Sequence, residues 1–334
     1  MPIDSRQHVL HAVTESSPGT PESITVGTTV AIPTVGPVGF EPIGTQLIER
    51  GDVMTSRGGS LAPALGSQGW RVTFQTELYP WDDLEDDTSS PLAALWAACG
   101  KLEELTTPDR IRWTPKAGNA VGTDFDPCTI YLDEIGGNRK RAHYCAGRVT
   151  AEADAGGRVL LSWEFLGRWT TPTASVVTAG SETYGSSYPV PAVFRPAITL
   201  TSGIAGTVSG LARFALDDGV ALVERQIATA AGAMDVAYRQ RSEVGPVLSI
   251  DIDADDESTL SAWAEAVGLT VEARSLVLTD SAGDSCTISL PSSFVRLPQM
   301  IDGEAYRGYT IEMVGTTQGA NSAVDPLTIT WEAV

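Results

Sequence analysis

The densest run of potential metal ligands in the chain is Asp251-Ile252-Asp253-Ala254-Asp255-Asp256, where carboxylates alternate as they do at the start of a calcium-binding helix-loop-helix loop. The rest of such a loop is missing. Its sixth position, where glycine makes the sharp turn, is Asp256, and its twelfth, where a bidentate glutamate closes the shell, is Ala262. An acidic stretch entering a helix N-terminus, where the helix dipole favours carboxylates, accounts for it better. His143 and Cys145, two apart in a strand-like segment, could share a face as a Cys/His nucleophile pair, but no third group orients the imidazole and a packed strand is the plainer reading. No Gly-x-Ser-x-Gly elbow, phosphate-binding Gly-x-x-x-x-Gly-Lys loop or Gly-x-Gly-x-x-Gly fingerprint occurs, so hydrolase, nucleotidase and dinucleotide chemistry lack their local signatures. The carboxylate pair of a glycosidase is defined by a separation in space that a sequence does not state. The expectation is a protein without catalytic residues, metal or cofactor.

Charge narrows the choice of partner. Among 334 residues, 42 acids face 22 bases, a net charge of −20, which repels phosphates and argues against a conventional DNA-binding protein. Only Lys101, Lys116 and Lys140 are lysines; the other cations are arginines, suited to fixed carboxylate pairs at interfaces. No apolar run reaches the length of a secretory signal or a membrane span, so a soluble protein is expected. Cys99, Cys128, Cys145 and Cys286 lie far apart without a Cys-x-x-Cys pair and read as buried, reduced thiols.

The elements that must position these side chains occur in two parallel series. Residues 1–44, rich in Pro, Gly, Thr and Val, read as an extended arm; 45–169 and 194–334 read as two β domains, with 170–193 a nearly uncharged extended connection. Leu47-Ile48-Glu49-Arg50 and Leu222-Val223-Glu224-Arg225 each lead into a long stretch of small residues. Trp70–Tyr79 and Val247–Asp253 alternate as strands and run into acids. A short helix follows in each half, with Ser90 or Ser258 as N-cap, Gly100 or Gly268 as stop, and Trp96 or Trp263 in its middle. A hairpin comes next (Thr129–Tyr144 and Leu276–Ser289), and the closing strands are Val159–Glu164 and Leu327–Glu332. Glu49 to Glu224 is 175 residues, Trp96 to Trp263 is 167 and Trp163 to Trp331 is 168, so order and spacing both recur. Trp70, Trp96, Trp163, Trp263 and Trp331 read as core residues. The fold class is mainly β: two tandem β-sandwich domains, each with one flanking helix, behind the N-terminal arm.

Over nearly its whole length this order resembles the major tail tube proteins of long, non-contractile phage tails. The resemblance rests on Glu15-Ser16-Ser17-Pro18-Gly19-Thr20-Pro21, Ile48-Glu49-Arg50-Gly51-Asp52, the strand Arg71–Leu78, the helix Leu92–Cys99 and Ile111-Arg112-Trp113-Thr114-Pro115. It continues through the hairpin Cys128–Tyr144 and the pair Gly147–Ala151 with Leu160–Gly167. It implies a β-sandwich with a flanking helix whose sheets join around a ring into an inner barrel, and rings that stack; two fused copies imply trimers with pseudo-sixfold symmetry. It further implies a virion protein made in the host cytoplasm, with itself, tape measure, tail terminator and baseplate proteins as partners. Double-stranded DNA would pass through unbound, which an acidic bore favours, and sheet edges that invite aggregation in a monomer would be closed by neighbours. On this reading Asp52, Arg57, Arg239 and Arg241, on the long small-residue loops, are candidate inter-ring contacts. Asp82, Asp83, Asp86, Asp251, Asp253 and Asp255 are candidate acidic surface or lumen residues. A terminator or baseplate ring protein, and a carbohydrate-binding or carbohydrate-hydrolysing β protein, are the alternatives.

Overall fold

The computed structural model describes residues 8–25, 29–43, 47–50, 61–65, 68–78, 92–107, 110–115, 125–135, 137–175, 177, 211–228, 234–241, 245–253, 258–279, 285–302, 307–316 and 327–332. In chain order the elements are β1 (His8–Thr14), β2 (Val35–Ile43), β3 (Leu47–Arg50), β4 (Leu61–Leu65), β5 (Gly69–Glu77), α1 (Ala93–Ala98), β6 (Lys101–Thr107), β7 (Arg110–Pro115), β8 (Cys128–Glu134), β9 (Asn138–Asp154), β10 (Leu160–Arg168) and β11 (Thr173–Ala174). They continue with β12 (Leu211–Asp217), β13 (Val220–Ala228), β14 (Met234–Arg241), β15 (Val247–Asp253), α2 (Ser258–Gly268), β16 (Glu272–Thr279), β17 (Ser285–Val295), β18 (Gln299–Asp302), β19 (Arg307–Gly315) and β20 (Thr328–Glu332). The chain is mainly β, as expected. No helix among the described residues is long and apolar enough to cross a membrane.

One antiparallel sheet runs in the order β2-β5-β10-β9-β12-β15-β19-β17-β20-β7-β6, with β1, β8, β11, β16 and β18 attached beside it. The pairing sequence β2-β5-β10-β9 in the first half thus has the same form as β12-β15-β19-β17 in the second. The halves are joined twice, by β9 against β12 and by β7 against β20. A single core cluster extends from Leu10 to Ile329 across both halves. The strand between β15 and β17 is β19, not β20, so Trp163 and Trp331, matched by their spacing in the sequence, lie in strands with different neighbours.

Strict alternation gives this sheet two unlike faces. In register, Val72, Phe74, Phe165, Trp163, Val149, Ala151, Phe214, Leu216, Leu248, Ile250, Ile311 and Met313 turn inward and are buried. Trp163 is central: its ring centroid lies 5.0 Å from that of Trp96 and 6.4 Å from that of Phe74, and its Nε1–H donates to Thr76 Oγ1 at 2.9 Å, which satisfies the only polar group it carries into the core.

Strand β9, 17 residues long, holds two sets of partners. Its first part pairs with β8, its middle with β10 and its end with β12. The change of register falls at Tyr144, a bulge residue with φ 53°. The amide freed there donates to Glu15 Oε1 at 2.6 Å; Thr129 Oγ1 donates to the same oxygen at 2.9 Å and Gly19 N to Oε2 at 2.6 Å. Glu15 is 5% exposed, so three donors offset the desolvation of its carboxylate. The stretch expected to be an arm is extended but docked: β1 pairs with β8 along its whole length, β2 pairs with β5, and Leu10 and Ile32 are buried.

The helices differ from expectation and from each other. The N-cap of α1 is Leu92 with no side-chain cap, and Ser90 lies outside the described residues; Gly100 (φ 68°) makes the expected left-handed stop. In α2, Ser258 and Gly268 are the first and last helical residues, and the left-handed position falls on Leu269 (φ 50°). Trp96 is 2% exposed and stacks on Trp113, with centroids 5.2 Å apart, beneath β1, β6, β8 and β9. Trp263, expected in the core, is 41% exposed. The physical reason is coverage: α2 packs mainly on β17 and is tied down by Arg274, which is buried and donates to Glu265 Oε2 at 2.6 Å and to Ser293 O at 2.7 Å.

Two substitutions check these attributions. Glu15→Ala should destabilise the fold by about 2–4 kcal/mol, with Glu15→Gln intermediate, read from urea unfolding; an unchanged midpoint would mean that the bulge holds without its carboxylate. Leu269→Gly should stabilise by about 0.5–1 kcal/mol by relieving the left-handed backbone, and a lower Tm would count against that assignment.

Candidate functional site

The outward face of the sheet is an extended polar surface. By register it carries Glu41 on β2, Arg71, Thr73, Gln75 and Glu77 on β5, and Ser162 and Glu164 on β10. It continues with Arg148, Thr150, Glu152 and Asp154 on β9, Arg213 and Asp217 on β12, Ser249 and Asp251 on β15, and Thr310 and Glu312 on β19. These are the polar members of the alternation whose apolar members build the core, so the face is a direct consequence of the strand period.

Its charges are cross-linked. Glu164 sits between two guanidinium groups, accepting from Arg71 Nε at 2.7 Å and from Arg148 Nε at 2.7 Å. Burial pushes the Glu164 carboxyl up, but the hydrogen bonds and charges of Arg148 and Arg71 outweigh it and hold the group below its ordinary range. Arg213 donates to Glu152 Oε2 at 2.8 Å and lies 3.9 Å from Asp154 Oδ1, and Glu312 takes Arg296 Nη1 at 2.8 Å. Arg158 pairs with Glu77. These arginines are therefore engaged with carboxylates of the protein itself, while carboxylates outnumber them on the face. Near β2 the surface dips into a cleft of about 530 Å3 bounded by Val35, Gly36 and Pro37 over Thr73, Gln75, Arg148 and Glu164.

Of the expected site residues, Asp251 lies on this face, opposite Arg213 in register and accepting a hydrogen bond from Thr310 Oγ1 at 2.7 Å. Asp253 ends β15. Asp82, Asp83, Asp86 and Asp255 lie outside the described residues, as do Asp52 and Arg57. Arg239 and Arg241 are in β14, opposite Leu222 and Val220 of β13. The stretches expected to be long loops thus contain paired strands, β3 with β4 and β13 with β14, and the second hairpin lies against β9 and β10. Their small residues hide the pairing, because backbone hydrogen bonds need no hydrophobic period. No grouping of His, Cys, Asp and Glu among the described residues could hold a metal ion.

His143 and Cys145 turn to different partners across the bulge. His143 Nδ1 is 3.1 Å from Thr170 Oγ1, whereas Cys145 is paired in register with Cys128. All four cysteines are free and buried, as expected, and burial followed by the hydrogen bond to Cys145 pushes the Cys128 thiol up, which keeps it neutral. Sequence reasoning missed Glu15, Arg148 and Glu164. Glu15 had a legible signal, an acid directly before the Ser-Ser-Pro-Gly turn; the other two acquire their partners only across strands.

Comparison with protein-family models and with curated proteins finds no match for the chain.

Burial, then the charges of Arg168 and Arg141, push the His143 imidazole down to about 4 from its ordinary 6.5. The unfolded chain therefore binds more protons than the folded one between those values, so this group's contribution to stability falls as pH drops from 6.5 to 4 and changes no further below. His143→Gln should flatten that window of the Tm-against-pH curve. Superimposable curves for the two proteins would reject the assignment.

Proposed function

We propose that the chain is a structural, non-catalytic virion subunit, the major tail tube protein of a long non-contractile phage tail, built from two fused copies of one sheet unit and assembling as stacked trimeric rings. The observation that carries this reading is the recurrence of β2-β5-β10-β9 as β12-β15-β19-β17, with the end of the first set hydrogen-bonded to the start of the second. A contact between unlike edges that repeats by rotation closes a ring. The junction of β9 with β12, five residue pairs from Thr150↔Asp217 to Asp154↔Arg213, is a template for an edge-to-edge junction between one subunit and the next, with β2 as one available edge. Strand β2 stands at the end of the sheet order, and Pro37 and Pro42, which lack donors, bracket the stretch Val38–Glu41 on it. Such an edge is a hazard on a monomer and an asset in a ring.

The two-faced sheet suits the role. In a closed ring the apolar side stays packed and the polar side lines the bore, where carboxylates repel phosphates and arginines are neutralised by neighbouring acids, so a duplex slides without a grip. Tape measure, terminator and baseplate proteins would be the partners at the tube's bore and ends.

Negative-stain electron microscopy of the purified full chain, over a range of concentration and salt, tests the reading. Threefold rings with pseudo-sixfold outline that stack into tubes are expected; a chain that stays monomeric throughout would overturn it, and single unstacked rings would favour a terminator. In assembled tubes, Glu152→Lys with Asp154→Lys and Asp251→Lys should leave rings intact while producing salt-sensitive duplex binding that the unsubstituted tube lacks.

A further inference from the structure

A second polar cleft lies away from this face, where the segment after Pro21 and the segment after Arg168 cross β8 and β9. It encloses about 240 Å3 and is lined by Ser23, Tyr131, Arg139, Arg141, Thr170 and Thr173, with Ile24 and Thr171 completing the wall. In a chain of net charge −20 this lining contains two guanidinium groups and no carboxylate.

The acids that surround the cleft are already engaged. Asp133, fully buried, takes Arg139 through both oxygens, at 2.7 and 2.9 Å, and also accepts from Ser175 Oγ at 3.0 Å. Glu22 accepts from Ser16 N at 3.0 Å and from the Ser16 hydroxyl, and Glu15 is held at the bulge. Lys140 is paired with Glu134 at 2.9 Å. Arg141 is different: it pairs with no carboxylate among the described residues, and its Nε is buried without a hydrogen-bond partner. A buried guanidinium nitrogen without an acceptor costs free energy, and Arg141 also lines the cleft, where its guanidinium meets whatever enters. The positive character of the spot is felt by its neighbour, since Arg168 and Arg141 both help to keep His143 neutral. With serine and threonine hydroxyls around it, Arg141 has the donor set for one planar oxyanion.

We propose that this cleft is a docking site for a carboxylate side chain carried by a second copy of the chain, an aspartate or glutamate gripped by Arg141 and flanked by the threonine hydroxyls. The occupant follows from charge: with 42 acids against 22 bases, the surface that a neighbouring copy presents is predominantly carboxylate. The site lies beside the corner of β9 rather than on the polar sheet face, so it contacts a neighbour without competing with a duplex in the bore. The identity of the partner rests on the ring-forming reading; the anion site itself does not.

The test compares the full-length chain with Arg141→Gln and Arg141→Lys. Sedimentation velocity at low salt should show that Arg141→Gln raises the concentration needed for assembly at least tenfold, with Arg141→Lys between it and the unsubstituted chain because charge is kept and the bidentate fork lost. Far-UV circular dichroism and Tm measured on unassembled protein check that the variants fold. Independently, sodium citrate added to unassembled protein should raise the Tm of the unsubstituted chain and leave that of Arg141→Gln unchanged, while a 20-base-pair duplex shifts neither. Assembly of Arg141→Gln at the unsubstituted concentration overturns the docking role, and so does stabilisation by the duplex or by inorganic phosphate in place of citrate. If the unsubstituted chain never assembles, the ring reading fails, and the citrate shift still decides whether Arg141 forms an anion site.

Discussion

At Tyr144 the long strand β9 leaves one register and takes up another, and the amide at that step has no strand to donate to; it donates to Glu15 Oε1 at 2.6 Å. Everything on either side follows from where β9 goes. Before the bulge it carries β8, and through β8 the docked strand β1; after it, the same strand lies between β10 and β12 in the large sheet. A bulge of this kind bends a strand and sharpens its twist, which lets one strand serve two layers around a shared core. The close approach is made by glycine. A Cβ on Gly167 would fall 2.6 Å from Cys145 Sγ, and one on Gly147 would enter the ring of Phe165.

The second half uses the same device with different means. On one side strand β17 changes partner from β20 to β19 while β16 keeps the other, and Pro291 falls where the register with β16 shifts and a donor is dispensable. The halves diverge where the chain outside the sheet differs. In the first, α1 lies under β1, β6, β8 and β9 and brings Trp96 against Trp113 and Trp163; in the second, α2 packs mainly on β17 and leaves Trp263, Val267 and Leu269 exposed. The hairpin β6–β7 then crosses to pair with β20, so the first half contributes strands to the sheet of the second. The two halves thus depend on each other, and among the described residues the main core cluster runs through both.

Electrostatics separates the two polar regions. On the sheet face, cross-strand neighbours of opposite sign lock the arginines onto Glu164, Glu152 and Glu312, leaving an outward balance of negative charge. At the cleft beside β8 and β9 the balance is reversed, because Asp133, Glu15 and Glu22 are each held by donors of their own and Arg141 is left over. The first arrangement leaves a surface that repels polyanions. The second suits a fixed contact with a protein neighbour.

The chain's pattern determined what depends on local period. Strands β5, β8, β10 and β15 could be read from alternation, the hairpin of β8 and β9 from its glycines, the left-handed stop at Gly100 from its residue type, and the burial of the four cysteines from their chemistry and spacing. Tertiary structure alone decided what depends on partners. Small residues gave no sign that β3 would pair with β4 or β13 with β14, and the matching tryptophans Trp163 and Trp331 lie in strands with different neighbours. Trp263, like Trp96, lies in the short helix of its half, yet one is exposed and the other buried, because burial is set by what covers a residue and the covering strands lie far away in sequence. The same holds for the sites. An acid can be counted in a sequence, but whether it faces an arginine, a backbone amide or open solvent is fixed by register, and register is a property of two strands together.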